Sequence, residues 1–376
     1  GVGVVTGLAW TAMGGATLDV EASRIAVIIG GAMLCFLFLC LNLINSRARV
    51  KGLVKFLSFY GFGMAIFALL QHFTWNGKFY WLRKPLNDLS TPYGPFANHN
   101  HFAGYMEMLT VLPVALVAAG AIRREQRPLY SFMASFMGVT IFFSLSRGGI
   151  LSLVCSLLFI GVVAGISPLA GREGKAGLWR PIVAVLGIAA IITLAMLWIG
   201  ADPVIGRFSE SSDTLSTSRL WIWEDSLRVF RDHPFLGSGF GSLQTVYPHR
   251  AQYDGALGYV AQSHNDYIQI LAEGGIISGI LVLWFLGLVL RDVFRGIRMR
   301  DPVIAGLSLG AGAGIVAILV HSTVDFNLQL PSNIMLFLLL TAIASFCGRA
   351  SSTSGAEVDY PVRNPNAPHI RDGVLK

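Results

Sequence analysis

The chain of 376 residues is 54% hydrophobic and 13% charged, whereas a soluble domain is typically about 45–50% apolar and about 25% charged. Those proportions exclude an ordinary soluble enzyme. With 42 glycines, 24 phenylalanines and 8 tryptophans and a mean hydropathy of +0.62, disordered and collagen-like chains are excluded as well. The net charge of +7 would suit a nucleic-acid partner, but in a membrane protein it first suggests basic residues gathered on cytoplasmic loops.

Crossing a hydrocarbon core of about 30 Å takes roughly 20 apolar residues in a helix. Nine runs qualify: 22–44, 52–72, 102–122, 129–146, 148–167, 181–200, 273–291, 302–321 and 331–348. The expected fold is therefore an all-α polytopic membrane protein of about nine transmembrane helices, with a large outside loop carrying surface helices between the sixth and seventh spans. With the N-terminus outside, the basic groups 47–55, 123–127, 172–180, 291–300 and 349–376 all fall inside, as positive-inside orientation requires. Residues 1–16 are apolar but too short to span, and read as the end of a truncated helix. Cys35, Cys40, Cys155 and Cys347 all lie in expected spans and read as small buried hydrophobes, with neither a disulfide framework nor a zinc site. Residues 1–350 form one membrane domain, and 351–376, rich in Ser, Pro and Gly, form a disordered cytoplasmic tail.

Chemistry is expected in the two long outside segments, 73–101 and 201–272. In the longer one, Ser216-Thr217-Ser218 can cap a helix from about Arg219 to Arg231, with Leu220, Trp223, Leu227 and Phe230 on one apolar face lying along the membrane surface. Gly237-Ser238-Gly239-Phe240-Gly241 follows. Lacking the strand that a dinucleotide fingerprint needs, it reads as a flexible loop.

Four groups stand out. Arg147, in Ser144-Leu145-Ser146-Arg147-Gly148-Gly149, sits between two spans with almost no loop. Charges at the membrane boundary are costly and usually functional, although a snorkelling arginine is the plain alternative. The two glycines would let an anionic ligand approach the backbone. His264, in Ala261-Gln262-Ser263-His264-Asn265-Asp266-Tyr267, precedes a helix that begins at Ser263 or Asn265. The positive helix end disfavours an imidazolium there, leaving a neutral ring able to accept a proton, or simply a structural cap. Asp266, Gln269 and Glu273 follow at helical spacing and form a polar face. Arg219, at the expected start of the surface helix beside Trp221 and Trp223, opposes the helix dipole, so an anion nearby would explain it, with a solvated charge as the plain alternative. Asn98-His99-Asn100-His101, preceded by Lys78, Arg83 and Lys84, suits hydrogen bonding to polar ligands or helix capping better than a metal, because no cysteine or carboxylate cluster accompanies it. No Asp-x-Asp pair occurs in the chain, which favours a metal-free mechanism without cofactor.

The segments SLSRGG (144–149), SRLWIWEDSLRVFRDHPFLGSGFGS (218–242), SHNDYIQILAEGG (263–275) and HSTVDFNLQLP (321–331), in this order around a large outside loop, resemble the O-antigen ligase/polymerase family of bacterial envelope glycosyltransferases. The likeness runs over nearly the whole chain, from the 22–44 span to the 331–348 span. It implies a multi-pass protein of the bacterial inner membrane that takes a glycan from an undecaprenyl-diphosphate carrier at the periplasmic face, inverting and metal-independent. Nine spans are fewer than the family's full set, so further helices are implied upstream. The resemblance puts the family's functional residues at Arg147, Arg219 and His264.

The residues suit that chemistry. Negative charge develops on the departing diphosphate, where two guanidiniums can stabilise it in place of a metal. A neutral imidazole at His264 can take the proton of the attacking sugar hydroxyl. Lys84, Asn98, Asn100, His101, Asp266 and Asp325 are further candidates for substrate contact. The partners are the carrier-linked donor, an acceptor glycan such as a lipid A core or another repeat unit, and membrane lipids, with no nucleic acid. A polymerase is the alternative within the class. A precursor transporter or flippase is the alternative outside it, disfavoured because the halves show no internal repeat and the polar residues cluster on one side rather than at the midplane.

Overall fold

The structure is a computed structural model that describes residues 17–85, 92–166, 214–249, 251 and 260–353. Nine helices of more than a single turn occur among them: α1 (Val20–Leu43), α2 (Arg47–Phe73), α3 (His99–Ala118), α4 (Arg127–Phe143), α5 (Arg147–Ile166), α6 (Thr214–Asp232), α7 (Asp266–Ile297), α8 (Pro302–His321) and α9 (Pro331–Thr353). Short polar residues start several of them by accepting a backbone N–H of the first turn. Asp19 caps α1, Ser46 caps α2, Asn98 caps α3, and Asp301, just before a proline, caps α8.

Seven of these helices, α1, α2, α3, α5, α7, α8 and α9, are long and apolar enough to cross a membrane. The fold is thus that of an all-helical, multi-pass membrane protein. The fourth expected span is α4, only 17 residues long. It stops at Phe143 rather than 146 because Ser144 ends it and Leu145 takes a left-handed φ of 58°. The expected sixth span, 181–200, and the apolar stretch 1–16 lie outside the described residues, as does most of the tail; Ser351–Thr353, expected in the tail, continue α9. The four cysteines are free and lie on α1, α5 and α9.

The centre of the bundle is the pair α3 and α8, which are the most deeply buried spans and pack on each other more extensively than any other described pair. Small residues allow this close approach, as is usual between membrane helices. Gly310 of α8 lies against Leu112 and Ala115 of α3, and Gly314 against Met108. Connections alternate between the two ends. One end carries the Arg47–Asp301 ion pair (3.0 Å) and the basic groups around Arg123 and Arg298. The other gathers the start of α3, the α4–α5 link, the start of α7 and the α8–α9 link.

The glycine run is not a flexible loop. Inside α7 the chain breaks at Gly275 (φ 64°, ψ −171°), which strands two carbonyls and two N–H groups that a continuous helix would pair. Buried backbone groups must be satisfied, and residues 234–239 do this in full. Ser238 N–H donates to Ala272 O and Gly239 N–H to Glu273 O, while Ile276 N–H donates to Pro234 O and Ile277 N–H to Phe235 O. The fit requires left-handed backbone at Gly237 (φ 71°), where a Cβ would lie 2.3 Å from the Glu273 carbonyl carbon. Gly237→Ala should therefore cost about 3 kcal/mol or more, from the left-handed backbone and the overlap together. Gly52→Ala, where an added Cβ meets nothing within 4 Å, should not. Equal melting temperatures of the two purified variants would refute this account.

Helix α6 also departs from expectation. It begins at Thr214, so Ser216-Thr217-Ser218 lie within it and Arg219 is in its second turn. No glycine or proline interrupts 214–219, so weak helix propensity yields to the continuing turn. Its buried face is Ile222, Asp225, Ser226 and Val229, while Leu220 is exposed. The face is rotated because this side packs on protein, in a cluster with Leu243, Tyr247 and Ala272. Asp225 is accommodated there by an ion pair with Arg228 (2.8 Å) and by the Tyr247 hydroxyl (3.3 Å). Burial, with Asp225 beside it, pushes the Tyr247 phenol up to about 12.

Candidate active site

His264 lies immediately before α7. Asn265, not Ser263, caps the helix by accepting from Tyr267 N–H and Ile268 N–H (3.0 and 3.1 Å). The helix start is then clamped to the last turn of α8 and the α8–α9 link. Asp266 N–H donates to Ser322 O, Asn265 Nδ2 to Thr323 O, and the Tyr267 hydroxyl to Leu319 O. These bonds hold His264 in a left-handed conformation (φ 53°). Such backbone is costly for a residue with a side chain and persists only where the surroundings impose it.

The clamp sets the His264 ring against Asp325, with Nδ1 3.3 Å from Oδ1, and edge-on to Phe326. The ring is about one-third exposed and Asp325 is almost fully buried. Burial alone would raise the carboxyl pKa of Asp325. The hydrogen bond and charge of His264, with the charges of His321 and His101, outweigh burial and hold it below the ordinary carboxylate range. A carboxyl whose folded pKa lies below its unfolded value of about 3.9 contributes its full stability above that value and loses it only as the pH falls through the folded one. Asp325 is therefore ionised at neutral pH. If Nδ1 of His264 carries the proton donated to Asp325, Nε2 keeps its lone pair and can accept one.

Around this pair lies a second, deeper one. His321, the last residue of α8, bonds through Nδ1 to Glu107 of α3 (3.1 Å), and both side chains are buried. An ionisable pair inside a membrane bundle survives only when each member has its partner. His321 also adjoins the backbone just after Arg147. A Cβ on Gly148 would lie 2.8 Å from His321 Nε2, and one on Gly149 2.6 Å from Ala103 Cβ. The two glycines after Arg147 thus admit neighbouring protein, not a ligand as the sequence suggested. Ser146 caps α5 by accepting Gly149 N–H (3.2 Å), which leaves Arg147 as its first residue. Arg219 lies within electrostatic range of His321. Both guanidiniums are partly buried, and neither makes a hydrogen bond or ion pair among the described residues.

The other candidates divide. Asn98 is committed to capping α3 and accepts Asn100 N–H (2.8 Å). His99 bonds through Nδ1 to Ser144 O, which ties α3 to the α4–α5 link, and His101 is buried in the first turn of α3, 3.9 Å from Asp325. Neither histidine therefore lies in the loop the sequence assigned. Asp266 is buried and its Oδ2 accepts both the Ser322 hydroxyl (2.7 Å) and Leu328 N–H (3.1 Å). It therefore holds the α8–α9 link rather than facing a substrate. Gln269 and Glu273, expected as a polar face, are buried too, and Glu273 accepts Leu243 N–H (3.1 Å). Asn100 is partly exposed, and Lys84 is exposed with no bond to this cluster among the described residues. Also among the described residues, no three His, Cys, Asp or Glu are grouped so as to hold a metal ion.

Sequence reasoning passed over Glu107 and His321. Glu107 was detectable as the only carboxylate within the apolar run 99–118, since an ionisable group at membrane depth is a functional candidate by default.

No curated protein matches the chain. The family model described as O-antigen ligase matches residues 132–283, from within α4 into α7. The matched stretch contains Arg147, Arg219 and His264 and ends before His321 and Asp325. Over that stretch of a multi-pass helical bundle the chain is similar to the O-antigen ligase family.

Proposed function

We propose that the protein is a ligase-type glycosyltransferase that moves a glycan from an undecaprenyl-diphosphate carrier to an acceptor sugar such as a lipid A core. It acts at the periplasmic face of the bacterial inner membrane. The observation that carries this reading is the pairing of His264 with buried Asp325 at the bundle end where Arg147 and Arg219 have no hydrogen bond or ion pair among the described residues. In this reading Arg147 and Arg219 bind the diphosphate and take up the charge that develops as the glycosidic bond to it breaks. Nε2 of His264 removes the proton from the acceptor hydroxyl as it attacks the anomeric carbon from the opposite face, and the imidazolium is stabilised by Asp325. Basic residues gathered at the opposite end of the bundle support placing this end outside, and a donor whose lipid tail stays in the bilayer accounts for a site at the membrane boundary.

The test is reconstitution of the purified protein in lipid with carrier-linked glycan and a lipid A core acceptor. Product should form, and it should form equally after treatment with EDTA, because two guanidiniums serve the diphosphate. Loss of transfer on chelation, restored by a divalent cation, would overturn the metal-independent reading. Elongation of carrier-linked repeats in place of transfer to the core would make the protein a polymerase. Passage of the donor across the membrane without any transfer would make it a transporter.

A further inference from the structure

Asp325 stands between two imidazoles. Its Oδ1 is 3.3 Å from His264 Nδ1 and 3.9 Å from His101 Nε2. Both rings pack edge-on against Phe326, with centroids at 4.9 and 4.8 Å. His101 Nε2 and Asp325 Oδ2 are both buried and without a hydrogen-bond partner among the described residues, an arrangement that a dry interior penalises. The fixed parts around them leave little other freedom. The carbonyl of His101 accepts Asn333 Nδ2 (3.2 Å), Asn333 Nδ2 also reaches Asn327 Oδ1 (3.0 Å), and Phe326 N–H donates to Asp325 Oδ1 (2.9 Å). His321 also acts on this carboxylate, but its Nδ1 is taken by Glu107, and His99 is tied to Ser144. Among the described residues His101 Nε2 is the buried, unpartnered ring nitrogen beside this carboxylate, and hydrogen bonds that are long in a free enzyme commonly tighten when substrate binds.

We infer that His101 is a positioning residue for the transfer reaction, its Nε2–H binding the Asp325 carboxylate and keeping it aimed at His264. The inference rests on the reading of His264 as the base. It assigns His101 no contact with substrate, in contrast to the expectation from sequence. The carboxylate would be held by donors on both sides, so that it neither rotates nor withdraws when the His264 ring becomes charged.

Steady-state transfer by His101→Gln, His101→Phe and His264→Ala separates the possibilities. Gln places an N–H donor near the position of Nε2, whereas Phe keeps an aromatic ring against Phe326 but has no donor. His101→Phe should lower kcat about tenfold, less than the ~10²–10⁴-fold of losing the base itself. His101→Gln should stay within about threefold of the native protein, and KM for the carrier-linked donor should not change in either. The reverse order, Phe better than Gln, would show that the ring matters for packing and would overturn the proposal. So would an effect on KM alone, which marks a substrate contact. If His101→Phe does not accumulate as folded protein, His101→Met, also without a donor, replaces it, and failure of all three variants to fold would make the role structural. Retention of transfer by His264→Ala would remove the base reading and this proposal with it. An inactive His264→Ala beside fully active His101→Phe would overturn this proposal alone.

Discussion

Replacing His264 by alanine should lower glycan transfer by roughly 10²–10⁴-fold, the usual size of a general-base contribution, while leaving binding of the carrier diphosphate nearly intact. The expectation follows from how the ring is held. Its Nδ1 is occupied by Asp325, its backbone is forced into a left-handed conformation (φ 53°), and the helix start behind it is bonded to the last turn of α8 once and to the α8–α9 link twice. None of these bonds involves Nε2, so that nitrogen remains for chemistry. The side chain is also the more exposed partner of its pair, so its loss removes a proton acceptor without opening a core cavity. Single-turnover transfer and donor binding, measured on the same preparation, check both halves. Near-normal turnover would end the assignment of His264 as base, and loss of donor binding with unchanged turnover of bound donor would turn it into a binding residue.

Most of the membrane helices were readable because long apolar runs have a single outcome in a bilayer. The runs at 22–44, 302–321 and 331–348 correspond to α1, α8 and α9 within a few residues at most boundaries. Where the sequence misled, a tertiary contact had replaced a local rule. The glycines at 237, 239 and 241 carry a local signal for flexibility, yet Gly237 and Gly239 lie against the break at Gly275, more than thirty residues on, and Gly239 and Gly241 leave room for Thr17, Ala22 and Ser23. Gly148 and Gly149 signal open backbone, but His321 and Ala103 fill the space. The exposed-looking stripe Leu220–Phe230 lost to the Ile222–Val229 side because a folded loop offered that side a partner. Arg147, Arg219 and His264 were each visible as costly charges or a helix-start imidazole. The Asp325 pairing was not, because 61 residues separate it from His264 and no periodicity spans that interval.

Arg147→Lys and Arg219→Lys should each reduce transfer roughly tenfold to a hundredfold, the scale of a lost charge-assisted hydrogen bond, although both keep the positive charge. A diphosphate presents paired oxygens that a planar guanidinium meets with two N–H groups, whereas an ammonium meets them as a point charge. The structure makes this a sharp comparison because neither arginine is engaged by a carboxylate among the described residues, so the substitution breaks no ion pair seen there. Arg298, exposed at the opposite end of the bundle, serves as the control, and Arg298→Lys should leave transfer unchanged. The two active-site effects should also be less than additive in the double variant, because one diphosphate must be shared by both guanidiniums for its departure to be assisted. Equal tolerance at all three positions would return Arg147 and Arg219 to the role of cations held at the membrane surface. Strictly additive losses would place them on separate parts of the substrate, with a single arginine left to meet the leaving charge.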